Sequence, residues 1–243
     1  MKTYDNDSPG PIKGSKNNRR EFINRSIILG TLAGFGSIGF FTGCKREADE
    51  GVSPAEDLMR EHGVLNRILL IYDNCRSRLV NNEHFDMEAI NNSAQIIRTF
   101  VEDYHEKLEE DFLFPRFEKA NLLTELVQVL RKQHKAGRIL TDQILHFGKM
   151  ELPANADASQ KLIKLLSDFN IMYRPHEARE DTVLFPAIRK IVSGNEYFAL
   201  GEDFEDKEHE LFGADGFEKM VEKVAGIEKQ LGIYDLSMFT PVI

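Results

Sequence analysis

His105-Glu-Lys-Leu-Glu-Glu-Asp-Phe-Leu-Phe-Pro115 and His176-Glu-Ala-Arg-Glu-Asp-Thr-Val-Leu-Phe-Pro186 decide the reading of this chain. Both fit the pattern H-E-x-x-E-acid-x-x-L-F-P. Each is followed four residues on by a lysine, Lys119 or Lys190, and the two stretches are offset by 71 residues. On a helix, residues four apart share a face, so His105 and Glu109 project together, as do His176 and Glu180. Pro115 and Pro186 should kink or break the helices that carry them.

A second pair lies upstream at nearly the same offset, 72 residues. His62 stands in R-E-H-x-x-x-N-R-I-L and His134 in K-Q-H-x-x-x-R-I-L. The chain therefore reads as two copies of a helical hairpin. Each copy has one histidine on its first helix and H-x-x-x-E on its second. Two such hairpins pack as an up-down four-helix bundle about a pseudo-twofold axis.

The flanking sequence supports four long helices and no strand. Ser53-Pro54 is a helix start, with Ser at the N-cap and Pro at the first helical position. Leu58, Leu65, Ile68, Leu69 and Tyr72 then recur at helical spacing, and Asn81-Asn82 breaks the pattern. The second, third and fourth helices should run from about Asp86 to Lys119, Leu122 to Lys149 and Asp157 to Ile191. A loop falls at Leu152-Pro153-Ala154-Asn155, and Ser193-Gly194-Asn195 should close the fourth helix. One more helix, from about Glu202 to Gln230, and an irregular tail over 234–243 complete the chain. This divides it into 1–44, 45–52, a bundle over 53–192, and a C-terminal helix and tail over 193–243.

The composition agrees. The chain has 243 residues, 42% of them apolar, with few Gly and Pro and no Trp, which suits one helical domain with appendages. A net charge of −9, with basic residues massed only in the first 25 positions, argues against a nucleic-acid partner. Cys44 and Cys75 have no metal-type spacing, and Cys75 reads as a small buried hydrophobe.

The repeated residues point to a metal pair. His62, His105, His134 and His176 can each offer a neutral ring nitrogen, and Glu109 and Glu180 can each bridge two cations. That donor set suits iron or manganese. The natural division puts His62 with His105 on one metal and His134 with His176 on the other. Glu106 and Glu177, about 100° round their helices, are candidates for extra ligands or for supporting contacts. His84 and His146 lie outside the repeat and read as surface residues. His209 is a candidate cap over one end of the site, and Tyr72, Tyr104 and Tyr173 are core or rim residues near it. Glu109 and Glu180 stand where a zinc protease of the HExxH type has its second histidine, so that class is set aside.

The order His62; His105 and Glu109; His134; His176 and Glu180, with L-F-P after each H-x-x-x-E, resembles the hemerythrin-like, or HHE, family of cation-binding domains over about residues 54–192. The resemblance implies a four-helix bundle with two iron ions, in preference to manganese or zinc. The oxygen-carrying members have a second histidine four residues after the third-helix one, where this chain has Arg138. They also end in H-x-x-x-x-D, where this chain has H-x-x-x-E. The better likeness is to bacterial members linked to peroxide decomposition, to nitric oxide or oxygen response, and to iron handling. Two roles fit. One is an oxidoreductase consuming hydrogen peroxide or nitric oxide. The other is a protein that binds or stores oxygen, nitric oxide or iron without turnover.

The first 44 residues read as an address. A basic stretch to Arg25 precedes the uncharged run Ser26 to Gly43, and Cys44 follows. Arg19-Arg20-Glu21-Phe22-Ile23 resembles a twin-arginine export motif. Phe41-Thr42-Gly43-Cys44 resembles a lipobox, which would tether the chain to a membrane through a lipidated Cys44. The alternative is an uncleaved anchor, since the run is just long enough to span. Either way the expected location is outside the cytoplasm, periplasmic or membrane-anchored.

Overall fold

Residues 52–149 and 156–242 are described in the computed structural model, and these residues form helices and turns without a strand. The export signal, the lipobox, nearly all of the tether and the loop expected at 152–155 lie outside the described residues.

Helix α1 (Pro54–Asn81) starts as its sequence demands. The Ser53 hydroxyl accepts the Glu56 backbone N–H at 3.3 Å, and the Glu56 carboxylate accepts the Ser53 N–H at 3.0 Å. This reciprocal pair satisfies two of the free N–H groups of the first turn. Asn82, at φ 56°, ends the helix in the left-handed region that Asn tolerates.

Helix α2 (residues 88–120) and helix α4 (residues 156–190) carry the quoted motifs, and neither is uniform. Both take a wide π turn at the glutamate of H-x-x-x-E, over Glu109–Leu113 and Glu180–Leu184. The Phe114 N–H bonds the Glu109 carbonyl five residues back, and the Phe185 N–H bonds that of Glu180. The cause is the proline that follows. In a regular α turn its ring would strike the carbonyl four residues back, and a widened turn absorbs that clash. The expected kink or break is thus replaced by a wide turn, and both helices run on through Pro115 and Pro186. Pro175, unmatched in the first copy, sits on an exposed face inside the α-helical part of α4 (Ala156–Arg179).

Helix α3 (Thr124–Gly148) completes the bundle. Neighbours pack α1 on α2, α2 on α3, α3 on α4 and α4 back on α1, closing a ring around one core. Its larger buried side chains include Tyr72, Phe100, Phe114, Phe169, Tyr173 and Phe185. Cys75 is fully buried, and burial pushes its thiol up to about 12. No helix among the described residues is long and apolar enough to cross a membrane.

The C-terminal segment differs from expectation. Ser193 does not close the fourth helix. It caps a new one, α5 (Gly194–Phe212), its hydroxyl accepting the Glu196 N–H at 3.2 Å. The single helix expected from Glu202 to Gln230 is two, broken at Gly213, with Asp215 in the left-handed region at φ 60°. The second, α6 (Gly216–Leu231), has its first turn capped from α5, because Glu208 accepts the Phe217 N–H at 2.9 Å. Together α5 and α6 cover the α1–α2 face. Arg67 of α1 meets Glu228 of α6 through two contacts at 2.9 and 2.5 Å, and Arg116 of α2 meets Glu196 of α5 at 2.9 Å.

One glycine is dictated by the core. A Cβ at Gly137 in α3 would lie 2.0 Å from the Tyr173 hydroxyl oxygen and 2.9 Å from the ring carbon bearing it. Alanine would favour the helix by about 1 kcal/mol. It would also drive Tyr173 off its partner at a cost of about 1–3 kcal/mol. Gly137→Ala is therefore expected to lower the denaturation midpoint, against the usual gain for such a change; urea unfolding of the two proteins measures it.

Candidate metal centre

The structure brings all six sequence-derived donors together inside the bundle, where none is more than 4% exposed. His62 comes from α1, His105 and Glu109 from α2, His134 from α3, and His176 and Glu180 from α4. Every imidazole aims Nε2 inward. His62 Nε2 lies 3.1 Å from His105 Nε2 and 3.4 Å from Glu180 Oε2. His105 Nε2 lies 3.7 Å from Glu109 Oε1. On the other side, His134 Nε2 lies 3.3 Å from Glu109 Oε2, and His176 Nε2 lies 3.1 Å from Glu180 Oε2. In these distances His62 faces His105, and Glu109 and Glu180 each face histidines of both hairpins.

Each Nδ1 is held from outside. Asp181 meets His62 at 2.7 Å and Glu61 meets His105 at 2.8 Å. Glu110 meets His134 at 3.1 Å and Gln133 meets His176 at 3.0 Å. An acceptor at Nδ1 keeps the proton there and leaves the Nε2 lone pair facing the centre. The pattern follows the pseudo-twofold axis. The residue before each single histidine holds the other histidine of its own hairpin. The residue after each bridging-type glutamate holds the single histidine of the opposite hairpin. Sequence reasoning did not single these four out, although Glu110 and Asp181 are the repeated acid of the motif.

A cation fits this arrangement. Both oxygens of Glu109, both of Glu180 and His134 Nε2 are buried without a hydrogen-bond partner. Buried carboxylates left so are costly, and a cation would satisfy them. Donors at about 2.1 Å from a metal lie about 3.0–3.4 Å apart for octahedral to tetrahedral angles, close to the separations seen. The four-residue group Glu109, His134, His176 and Glu180 and the three-residue group His62, His105 and Glu109 each gather their donor atoms within 4.8 Å.

Glu106 and Glu177 have other partners. Glu106 receives the Tyr173 hydroxyl at 2.8 Å and meets Arg138 at 2.7 Å. Glu177 receives the Asn66 amide, and its Oε1 is buried without a partner. Arg138 and Asn66 each stand four residues after a single histidine. Burial pushes both carboxyls up to about 8; Arg138 opposes this at Glu106, and His62 opposes it at Glu177. Tyr104 donates to Glu61 at 2.9 Å. The L-F-P phenylalanines form the walls: Phe114 stacks on His134 at 5.5 Å and Phe185 on His62 at 5.4 Å. Tyr72 is buried in the core against Phe169. His84, His146 and His209 are exposed, so His209 does not cap the site.

The charges set how the cation-free site responds to pH. At His62 burial disfavours the charged ring, but Asp181 and Glu180 outweigh it and push the ring up to about 10. Burial raises Glu109 well above the usual carboxylate range, helped by Glu180. Glu180, which burial would also raise, is held down by His176 and His62. Around neutral pH His62 therefore carries a proton, and Glu109 takes one up more readily than an ordinary carboxyl; a metal must displace them. Affinity for a divalent cation should climb as pH rises toward 10, with proton release on loading. Calorimetry in two buffers of different ionisation enthalpy measures that release, and loading without it would contradict this charge arrangement.

Residues 53–188 match the model of the hemerythrin HHE cation-binding domain. An uncharacterized protein of Mycobacterium bovis and one of Mycobacterium tuberculosis are each 50% identical to this chain over 195 residues, which is 80% of the chain and 76% of the relative. No solved structure matches the chain. Matched over more than half its length, with its buried His and Glu residues converging in a helical bundle, the chain belongs to the hemerythrin HHE cation-binding family.

Proposed function

We propose that the bundle holds a pair of iron ions in an H, HxxxE, H, HxxxE ligand set and reacts there with a small oxidant, namely hydrogen peroxide, nitric oxide or oxygen. The observation that carries this reading is the set of unpartnered Glu109 and Glu180 oxygens facing four Nε2 atoms. Each ion would take two imidazoles and a share of two carboxylates, fewer donors than the six typical of such ions. Positions stay open for a diatomic or peroxide ligand. The bound iron pair would supply electron exchange with that ligand.

The chain's own residues do the rest. The four Nδ1 partners fix ring orientation. Phe114, Phe185, Leu113 and Leu184, all buried, keep bulk water off the centre. Glu177 Oε1, buried beside the site without a partner, can hold a proton there. Arg138 occupies the position from which oxygen carriers recruit a further histidine, and its guanidinium faces Glu106 and Glu110 instead.

Two iron ions per chain are expected in protein loaded under reducing conditions. The Glu109→Ala, Glu180→Ala double variant should lose more than about 100-fold in metal affinity. Stopped-flow peroxide consumption no faster than in that variant would remove the enzyme reading. A reversible spectral change on oxygenation without turnover would make this a binding or storage protein.

The proposed location is outside the cytoplasm, on the strength of Arg19-Arg20 and the uncharged run ending at Cys44. The twin-arginine route carries folded proteins, which suits a centre loaded before export. Replacing Arg19 and Arg20 by Lys should retain the protein in the cytoplasmic fraction.

A further inference from the structure

The two halves supply equal inner donors but unequal outer ones. On the His62–His105 side both Nδ1 partners are carboxylates, Asp181 at 2.7 Å and Glu61 at 2.8 Å. Glu61 is fixed by the Tyr104 hydroxyl, and its matched partner in the other half, Gln133, is neutral. Tyr104 itself is matched by Pro175, which has no hydroxyl. Further carboxylates stand behind Glu61: Asp57 of α1 and Glu208 of α5 are within 4.8 Å of it, and both are buried.

On the His134–His176 side one Nδ1 partner is the uncharged Gln133. The other, Glu110, is drawn on by Arg138 at 2.9 Å and by Lys107 at 2.6 Å. Two cations offset its charge. Arg138 also meets Glu106 at 2.7 Å. On the opposite half, the residue four after the single histidine is the uncharged Asn66.

An anionic acceptor on Nδ1–H raises the electron density at Nε2 and the ring's basicity toward a cation, whereas a neutral amide does so less. We infer that the two metal positions are inequivalent, with Glu61 and Gln133 acting as positioning residues that make the His62–His105 position the tighter, first-filled one. This deepens the proposed two-metal reading and rests on it. It also gives the C-terminal pair a part in the site, because α5 brings Glu208 to the Glu61 side alone.

Two binding steps would not by themselves show this. The positions share Glu109 and Glu180, so the first cation weakens the second even in a symmetric site. The sign of the variants' effect is decisive. Manganese(II) alone is titrated into the cation-free full chain by calorimetry, with electron paramagnetic resonance at one and two equivalents. If the His62–His105 position is tighter, Glu61→Gln weakens the first step by about 10–100-fold and narrows the gap between steps. Gln133→Glu strengthens the second step and also narrows it. The isolated-ion signal at one equivalent should weaken in both variants, as filling loses its order.

In equivalent positions, Glu61→Gln would leave the first step at the untouched position and weaken only the second. Gln133→Glu would strengthen only the first. Both changes would then widen the gap, and either result overturns the inference. The paired design also guards against misfolding, because Gln133→Glu adds to the second half what the first half already has. Failure to bind two ions would instead overturn the reading on which the inference rests.

Discussion

Two carboxylates, Glu109 and Glu180, are buried at the centre of a helical bundle without a hydrogen-bond donor on any of their four oxygens. Much of the structure answers that demand. Four imidazoles turn Nε2 toward these oxygens. Four outer residues hold those rings by Nδ1. Helices α2 and α4 open into wide turns where the glutamates sit. Left empty, such a buried pair would oppose folding, by its charge or by the protons it must take up, and bound cations would turn the same burial into a favourable contribution. Stability and metal content are therefore linked in this chain, as ligand binding to the folded state requires.

The wide turns deserve their place in that account because they serve two ends. They let Pro115 and Pro186 sit within continuous helices. They also return Phe114 and Phe185 to the faces of His134 and His62. The L-F-P element is thus a backbone device and a wall of the site together, which is a physical reason for the motif to travel with H-x-x-x-E. Gly137 is a similar case in α3: its missing Cβ makes room for Tyr173, and Tyr173 in turn holds Glu106.

The bundle was legible in the sequence because apolar spacing and capping agree: Ser53 and Pro54 mark the start of α1, and Asn81-Asn82 marks its end. The six inner donors were legible because the repeat matches them in type and order. Their partners were harder to read. Glu61 pairs within its own hairpin and Asp181 across to the other, and no local pattern distinguishes those two cases. The C-terminal pair was misread for a different reason. Ser193, followed three residues later by Glu196, is the same start signal as Ser53 with Glu56, but it falls just after a helix and passes as an ending. The break at Gly213 depends on Glu208 reaching across to the Phe217 N–H, a contact between two helices.

The duplication behind the 71-residue repeat has a consequence of its own. Two separate, identical hairpins could associate as a symmetric dimer and build the same six inner donors. Symmetry would then force each outer residue to appear twice, because one gene would encode both halves. Joining the copies in one polypeptide removes that constraint. Glu61 and Gln133, Asn66 and Arg138, and Tyr104 and Pro175 can differ only because each has its own codon. Covalent fusion thus gives this bundle something self-association cannot: two halves of one buried site whose outer contacts can be tuned one at a time.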